Sequence, residues 1–540
     1  MFDSFPARLA LLCGLAAAFI TFIARKLLYP KPYPGIPFNE ASARRIAGDI
    51  PHLLSLVKKL DQYSEAIFLT TTQKLGTPIA QLLLPGVFPK PLIIVEDPRE
   101  IEDILVRRNK EFDRAPFSVD LLKPMFPRAS ISQFSTRVLK AQKRLWMDTM
   151  SADFLRRLKA STVHRVQAFN IHDDLKNTTL DAIWMNMVGE QGDTVRYEIT
   201  KLQNSIAGHV DAALPPPRGA FIKAQVGYIQ GTLSTNVNSI SPKWAQIFET
   251  FTPSYRSYQR IVTGEMTRAM EKAVARYKNL EIGALESDEI DTCAMDLIRQ
   301  KDTAILQEPF TFLVAGYDSI SNTLAFFFKF MEAHPFVQSE LRSALKTAFP
   351  GSELPSAQEI LSADIPYLDG ALEETTRLAG AAKSSTRMAM VGTQILGCPI
   401  PKGAEVFLTL HLHRGPPVQV DEAKRSETSQ AAVAKIGGDG LQGSAGRDLG
   451  SFEPRRRLVR DEKTGKETFN RHALSSLAFG GGYRGCFGLR KLAMMDLRIV
   501  IVLLILKFEF LELPDEYKPV VGMEKFLRCT KYPYAKLRAL

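Results

Sequence analysis

The sequence predicts a mainly α-helical catalytic domain with a smaller β-rich part, carried behind an N-terminal membrane anchor. Three observations predict this. Most of the chain beyond residue 38 carries apolar residues at helical spacing, short strand signals cluster at 79–95 and 387–408, and an uncharged apolar run opens the chain. The composition agrees: 540 residues, 24% charged and 45% hydrophobic, exclude a disordered polymer, a collagen-like fibre and a multi-span transporter. Lys and Arg total 69 against 58 Asp and Glu, a net +11. That excess suits an anionic partner, a membrane surface or nucleic acid without choosing among them. The five cysteines (13, 293, 398, 486 and 529) are far apart and contain no CxxC pair. An odd, sparse set argues against a disulfide framework and for a reducing compartment.

The anchor comes first. Leu9–Ala24 is 16 residues without a charge, bounded by Arg8 and by Arg25-Lys26. A bilayer core takes ~20 apolar residues, so the run is a short span helped by snorkelling basic residues. A cleaved signal peptide ending at Ala16-Ala17-Ala18 is the competing reading. The run continues past those alanines, and Arg25, Lys26 and Lys31 hold its far side in the cytosol. The proline-rich stretch Tyr29–Pro37 follows, stiff enough to set a domain at a fixed angle to a membrane. The expected organisation is an anchor over 1–28, a hinge over 29–37 and a catalytic domain over 38–540.

Within that domain, Ile101–Lys110, Leu139–Leu158, Ile261–Leu280, Phe336–Phe349 and Tyr367–Leu378 read as helices. Leu306–Met331 is longer and very apolar, but Glu308, Asp318 and Lys329 interrupt it. A mid-bilayer Asp318 would be costly, so the segment reads as a helix buried through the protein core. Strands are expected at Ile79–Leu84, Leu92–Val95, Arg387–Val391, Gln394–Ile395 and Ala404–Leu408, with a turn at 400–403 (IPKG). The stretch 415–451 is rich in Gly, Ala, Ser and charge and is expected to be a mobile surface loop.

The most informative segment is Phe479–Gly488, FGGGYRGCFG. Glycines at 480, 481, 482, 485 and 488 surround Cys486, a backbone able to approach a flat ligand and point N–H groups at a sulfur. Arg484 can reach a nearby anion. The apolar run Leu489–Leu506 starts at once, and its N-terminal dipole favours a thiolate. A phosphate-cradling loop would need Gly-Lys-Ser/Thr, which is absent. A cysteine-phosphatase loop would need an arginine where Leu492 stands. A plain Gly-rich turn around a structural cysteine is the remaining alternative. The pattern Phe-x-x-Gly-x-Arg-x-Cys-x-Gly is met at Phe479, Gly482, Arg484, Cys486 and Gly488. It closely resembles the haem-binding loop of the cytochrome P450 family.

Independent segments extend the resemblance in the right order from about residue 30 to the end. Glu374-Thr-Thr-Arg377 resembles the family's Glu-x-x-Arg helix, and Pro454-Arg-Arg456 its later Pro-x-Arg segment. Ala315-Gly-Tyr-Asp-Ser-Ile320 resembles its oxygen-side helix motif, with Ser319 in place of the usual Thr. Glu111–Ala115, His334-Pro335 and Thr386-Arg387 match further positions, and Lys143 stands where an arginine is usual. The resemblance implies the P450 fold and haem b, with Cys486 as axial thiolate and metal ligand. Phe479, Gly482 and Gly488 would shape the loop. Arg484, Arg387 and Lys143 would meet the haem propionates, and Ala315 and Gly316 would leave room beside the haem. Asp318 and Ser319 would relay protons, and Glu374, Arg377 and Arg456 would form the scaffold behind the haem. It further implies insertion of one oxygen atom from O2 into a lipophilic small molecule. The electrons would come from NADPH through NADPH–cytochrome P450 reductase, at the endoplasmic reticulum membrane with a cytosolic catalytic domain and no nucleic-acid partner. The wording of the motifs and Leu180–Trp184 resemble fungal members, many of which modify polyketides, terpenoids or alkaloids. Two alternatives stay open: a haem-thiolate isomerase or dehydratase, and a non-catalytic membrane-anchored binding protein of the same fold.

Overall fold

The structure, a computed structural model, describes residues 13–16, 18, 19, 22 and 27–540, apart from 87–89, 127–167, 189, 207–214, 238, 240, 282–307, 352, 411–417, 437–447, 475 and 487–488. The proline-rich stretch is stitched to the domain by Gln81. The Gln81 side chain accepts from Tyr33 N at 2.8 Å and donates to the carbonyls of Tyr33 and Ile36 at 3.0 and 2.8 Å. A buried glutamine needs such partners, and prolines leave their neighbours' carbonyls free to supply them.

Helices α1 (Ile50–Leu60) and α2 (Tyr63–Thr70) meet at Asp61, whose left-handed φ of 54° turns the chain. Strands β1 (Ile79–Leu82) and β2 (Leu92–Val95) form an antiparallel pair. Helix α3 (Pro98–Val106) starts at Asp97, which accepts from Glu100 N at 2.8 Å, with Pro98 preset for the first turn. Strand β3 (Phe112–Arg114) and helix α4 (Pro116–Leu122) follow. The expected helix Leu139–Leu158 lies outside the described residues, as does Lys143. The chain then becomes helical: α5 (His172–Val188), α6 (Thr194–Ile206), α7 (Arg218–Asn236), α8 (Pro242–Glu249) and α9 (Pro253–Glu281).

Helix α10 (Glu308–Ala333) is the axis of the main core. Leu313, Leu324, Phe327 and Met331 are fully buried along it. Truncating such a leucine to alanine costs roughly 2–5 kcal/mol. Its charges are matched as a buried charge must be: Lys176 Nζ lies 3.3 Å from Asp318, and Lys329 Nζ donates to Glu332 at 2.6 Å. No helix of the described residues is long and apolar enough to cross a membrane. Helix α5 packs along α10 at Gly316, where an added Cβ would stand 2.9 Å from Ile183 Cδ1.

Helices α11 (Pro335–Ala348), α12 (Ala357–Ser362) and α13 (Pro366–Ala379) lead to Gly380, whose φ of +51° ends α13. Strand β4 (Ser384–Ala389), the hairpin β5 (Thr393–Ile395)–β6 (Cys398–Ile400) and β7 (Glu405–Thr409) complete the sheet region. Five strands form one sheet in the order β1-β2-β7-β4-β3. In it β2 and β7 run parallel, and β3–β4 pairs Arg114 with Arg387 in register.

The stretch expected as a mobile loop is corrected in part. Residues 422–424 form a 3-10 turn, and α14 (Glu427–Ile436) follows it, docked on α3; 437–447 lie outside the described residues. Docking through ion pairs and hydroxyls leaves a hydrophilic sequence that reads like a solvated loop. The last helix, α15 (Leu489–Lys507), starts behind Cys486. The hairpin β8 (Gly522–Glu524)–β9 (Arg528–Thr530) closes the remaining side of the cavity.

Candidate active site

A cavity of about 830 Å³ lies between α10, the loop before α15, the β3–β4 edge and the β8–β9 hairpin. Ala315, Gly316 and Ser319 line it from α10; Phe479, Gly480, Arg484 and Cys486 line it from the loop. Most of the remaining wall is apolar, including Leu121, Leu122, Ile183, Met187, Phe526 and Leu527.

The loop is a tight, self-bonded turn. Cys486 N donates to Phe479 O at 2.8 Å, and Gly480 N to Leu477 O at 2.8 Å. Gly482 has φ +60°, and a Cβ there would lie 2.0 Å from Leu105 O. Its glycine is therefore required by the floor beneath the loop, the last turn of α3, rather than by a ligand above it. Gly488 lies outside the described residues. Cys486 is open to the cavity yet surrounded by protein. Burial pushes its thiol up to about 11, while the Arg490 charge and the Arg490 N–H at the start of α15 pull it down. Arg490 itself covers the Phe479 ring at 5.4 Å and pairs with Glu373 at 2.9 Å.

Three guanidiniums gather on one edge of the cavity. Arg387 and Arg114 come from paired strand positions, and Arg484 from the loop. Burial first, then Arg484 and Arg387, lower Arg114 to about 9. Burial and Arg484 lower Arg387 to about 10. Burial also lowers Arg484, against the pull of Asp113 at 3.7 Å. Like charges directly opposite in a sheet are destabilising. Among the described residues the three guanidiniums share Asp113 at this edge, an arrangement suited to a dianionic ligand edge. A thiol facing small residues across an apolar space, with a cationic edge, is a lining that suits haem; Cys486 would hold its iron and the arginines its propionates.

Behind the loop, Glu374 is a fully buried hub. Arg377 binds it through Nε at 2.9 Å and Nη2 at 2.7 Å. Arg456 Nε lies 3.3 Å away, and Arg457 Nε 3.2 Å away. Arg457 also donates to Leu474 O at 3.2 Å, and Arg377 to Leu449 O at 2.6 Å. Gly370 lets the segment approach, since a Cβ there would meet Pro454 O at 2.7 Å. Arg456 is thus present as expected, but Arg457, which sequence reasoning left aside, shares the role and is the more deeply buried.

The structure does not bring Asp318 and Ser319 together. Ser319 lines the cavity, and its Oγ donates to Gly316 O at 3.2 Å. Asp318 is not among the lining residues; it faces Lys176 on α5, which also covers the Tyr317 ring at 5.6 Å. Successive helix positions point about 100° apart, so the two side chains part. Arg114 was missed as a site residue. Its signal was the Glu111–Ala115 match, which carried no role until the strand pairing supplied one.

The comparisons agree with this geometry. A family model for cytochrome P450 matches residues 62–416 and 450–536. The cytochrome P450 monooxygenase TRI13 of Fusarium sporotrichioides is 28% identical over 96% of this chain and 97% of its own length. The cytochrome P450 monooxygenase xilC of Penicillium crustosum is 29% identical over 93% of this chain and 91% of its own. A mammalian relative, cytochrome P450 3A14 of Cavia porcellus, is 27% identical over 43% of this chain and 39% of its own. Fold, haem-shaped site and sequence together define a haem-thiolate oxidoreductase of the monooxygenase class. The chain belongs to the cytochrome P450 family, and it resembles fungal members.

Proposed function

We propose that this enzyme inserts one oxygen atom from O2 into a lipophilic small molecule, with Cys486 holding the haem iron and electrons passed from NADPH by NADPH–cytochrome P450 reductase. The observation that carries the reading is the Cys486 thiol opening into an apolar cavity opposite Ala315-Gly316, with Arg114, Arg387 and Arg484 at the edge. Haem held by a cysteine thiolate supplies O–O bond cleavage. The chain's own residues do the rest. The start of α15 favours the thiolate through the Arg490 N–H and charge. The three arginines bind and orient the propionates. Leu122, Ile183, Met187 and Phe526 exclude water and hold an apolar substrate. Ser319 Oγ, on the cavity wall, holds a proton for transfer. Asp318 would join that relay only by leaving Lys176.

The substrate belongs to fungal secondary metabolism, a polyketide, terpenoid or alkaloid that this enzyme tailors; the fungal relatives support this. Residues 1–28 anchor the enzyme in the endoplasmic reticulum membrane, with the catalytic domain in the cytosol. In support, residues 13–16, 18, 19 and 22 are helical, and Leu15, Phe19 and Phe22 are 60, 63 and 63% exposed, as lipid-facing side chains would be. The Gln81 bonds then fix where the chain leaves the membrane.

The test is a reduced carbon monoxide spectrum of purified protein, with and without Cys486→Ala. The strongly red-shifted thiolate band should be present in the wild type and absent in the variant. Wild-type protein that binds no haem would end the reading. Untargeted metabolite comparison of cells with and without the chain, followed by NADPH stoichiometry on the compound found, separates oxygen insertion from isomerisation. Removing residues 1–28 should release the protein from carbonate-washed membranes; retention would refute the anchor.

A further inference from the structure

Residues 417–449 fall between the two stretches that the family model covers, so the family pattern does not explain what they do. Residues 422–428 within them are tied to α3 at three levels, from its N-cap Asp97 to Asp103. Arg425 grips Asp97, the N-cap of α3, with two bonds of 2.7 and 2.9 Å. Arg99, in the first turn, binds Glu422 twice, at 2.9 and 2.8 Å. Asp103, one turn later and fully buried, accepts from Ser426 Oγ at 2.6 Å and Thr428 Oγ1 at 2.7 Å. Paired bidentate geometry fixes orientation as well as distance.

The opposite end of α3 is the floor of the cysteine loop. Gly482 sits so close to Leu105 that a Cβ would lie 2.0 Å from its carbonyl oxygen, and one on Gly481 would lie 2.9 Å from Val106 Cγ2. The chain leaving α3 continues through Arg108, which binds Glu100, Glu111, Thr393 and the Gln394 carbonyl. It then reaches Asp113 and Arg114 at the cavity edge. Any axial slip of α3 is therefore transmitted at once to Cys486 and to Arg114. Asp103 also pairs with Arg107 and Asp97 also caps Glu100 N, but those bonds move with the helix and do not fix its slip; the bonds of both acids to the inserted segment do.

We infer that residues 422–436 are a strap that sets the axial position of α3 and thereby positions Cys486 and Arg114 for the haem. Arg425, Glu422, Ser426 and Thr428 are positioning residues, acting through α3 without touching the ligand. The inference rests on Cys486 as the iron ligand, and two separate readouts keep the failures apart.

The experiment uses the full-length chain. Variants are Arg425→Ala, Arg425→Lys, and the milder pair Ser426→Ala with Thr428→Val. Arg538→Ala, which breaks an exposed ion pair with Glu509 elsewhere, is the control. The first readout is hydrogen–deuterium exchange. Peptides covering 479–486 should exchange at least about tenfold faster in Arg425→Ala, with α10 unchanged, because local opening is separable from global unfolding. The second is the reduced carbon monoxide spectrum. The thiolate band should fall by roughly half or more relative to total haem, because a displaced sulfur loses its hold as an anionic ligand. Arg425→Lys should recover only part of both signals, since a lysine keeps the charge but not the fork. The control should match wild type. If Arg425→Ala does not fold, the hydroxyl pair gives the same two readouts.

Unchanged exchange at 479–486 overturns the strap. So does faster exchange that appears equally in α10, which would mark simple instability. If Cys486→Ala keeps the thiolate band, the iron assignment falls instead, and the exchange result alone decides whether the strap holds the loop.

Discussion

Replacing Arg457 by alanine is the sharpest perturbation of the scaffold behind the loop. The side chain is fully buried, as is Glu374, which it meets at 3.2 Å. Its other bonds go to the carbonyls of Leu474 and Arg471, at 3.2 and 3.4 Å. Breaking one side of a buried ion pair costs roughly 3–5 kcal/mol, because the partner and the carbonyls stay buried without it. Glu374 keeps Arg377 and Arg456, so the expected loss is near the lower end, about 3 kcal/mol. Arg457→Met should recover part of that, since burying a guanidinium is itself unfavourable and burial already lowers its pKa. Arg456 is different. Its side chain is also nearly covered and pairs with Glu374, but its other partners, the Ser451 and Asp448 carbonyls and Glu453 (60% exposed), lie near the surface, where water can reach them once the side chain is removed. Arg456→Ala should therefore cost only about 1–2 kcal/mol, in the range for hydrogen bonds that water can partly replace. Urea unfolding midpoints, with haem retention followed in the same samples, measure both. An Arg456→Ala loss equal to or larger than that of Arg457→Ala would refute the reasoning.

Gly482→Ala should abolish stable haem loading, since φ +60° and the Leu105 oxygen at 2.0 Å both oppose a Cβ; full loading would show that α3 can move away. Arg114→Met should weaken haem binding while raising the melting temperature of the haem-free chain, because it relieves repulsion with Arg387 and Arg484; a lower melting temperature refutes this. Burial raises the Glu100 carboxyl to about 7 despite Arg108 and Arg425, with Asp103 and Asp97 pushing the same way as burial. The folded chain thus binds a proton that the unfolded chain releases. Stability should fall as pH rises from about 4.5 through about 7, by up to ~3 kcal/mol, and Glu100→Gln should flatten the profile measured by urea titration. Ser319→Ala should keep haem content and substrate affinity but lower product formed per NADPH, toward the ~10²-fold end for a proton-transfer group. Asp318→Asn should act more weakly, its carboxylate facing Lys176 rather than the cavity; the reverse order would place Asp318 in the relay.

Local pattern made much of this molecule legible. The buried helix α10, strand β2 and the loop around Cys486 all follow from residues within one short window, where periodicity, turn chemistry and motif spacing operate. What escaped depends on distant pairing or on docking. Arg114 gains its place only because β3 pairs with β4 at Arg387, far along the chain. Arg457 gains its place because the Pro454–Arg457 turn packs closely against α13 at Gly370, so that both Arg456 and Arg457 reach the buried Glu374, a distant contact that no local pattern signals. The 422–436 segment was misjudged because composition separates apolar burial from solvation, whereas this segment is held by Arg425, Glu422 and two hydroxyls. The bonds that tie the proline-rich stretch to the domain come from Gln81, 45 residues from Ile36, and so have no local signal either.

The site's electrostatics make folding and haem loading one problem. Arg114 and Arg387 are lowered to about 9 and 10, and Cys486 is raised to about 11. Each shift says the same thing: burial disfavours the charged form where it stands, and for the arginines the neighbouring guanidiniums add to it. The two demands are complementary. A group bringing two carboxylates to the arginines and a metal cation to the sulfur relieves both at once, whereas a neutral ligand of the same shape relieves neither. Binding free energy that depends on the folded site adds directly to folding stability. The arginines cannot be traded for apolar residues to stabilise the haem-free chain without loosening its grip on the haem. The buried Glu374 hub and the strap on α3 are then understandable as rigid supports. They hold a loop and a strand pair whose own charges push them apart until the ligand arrives.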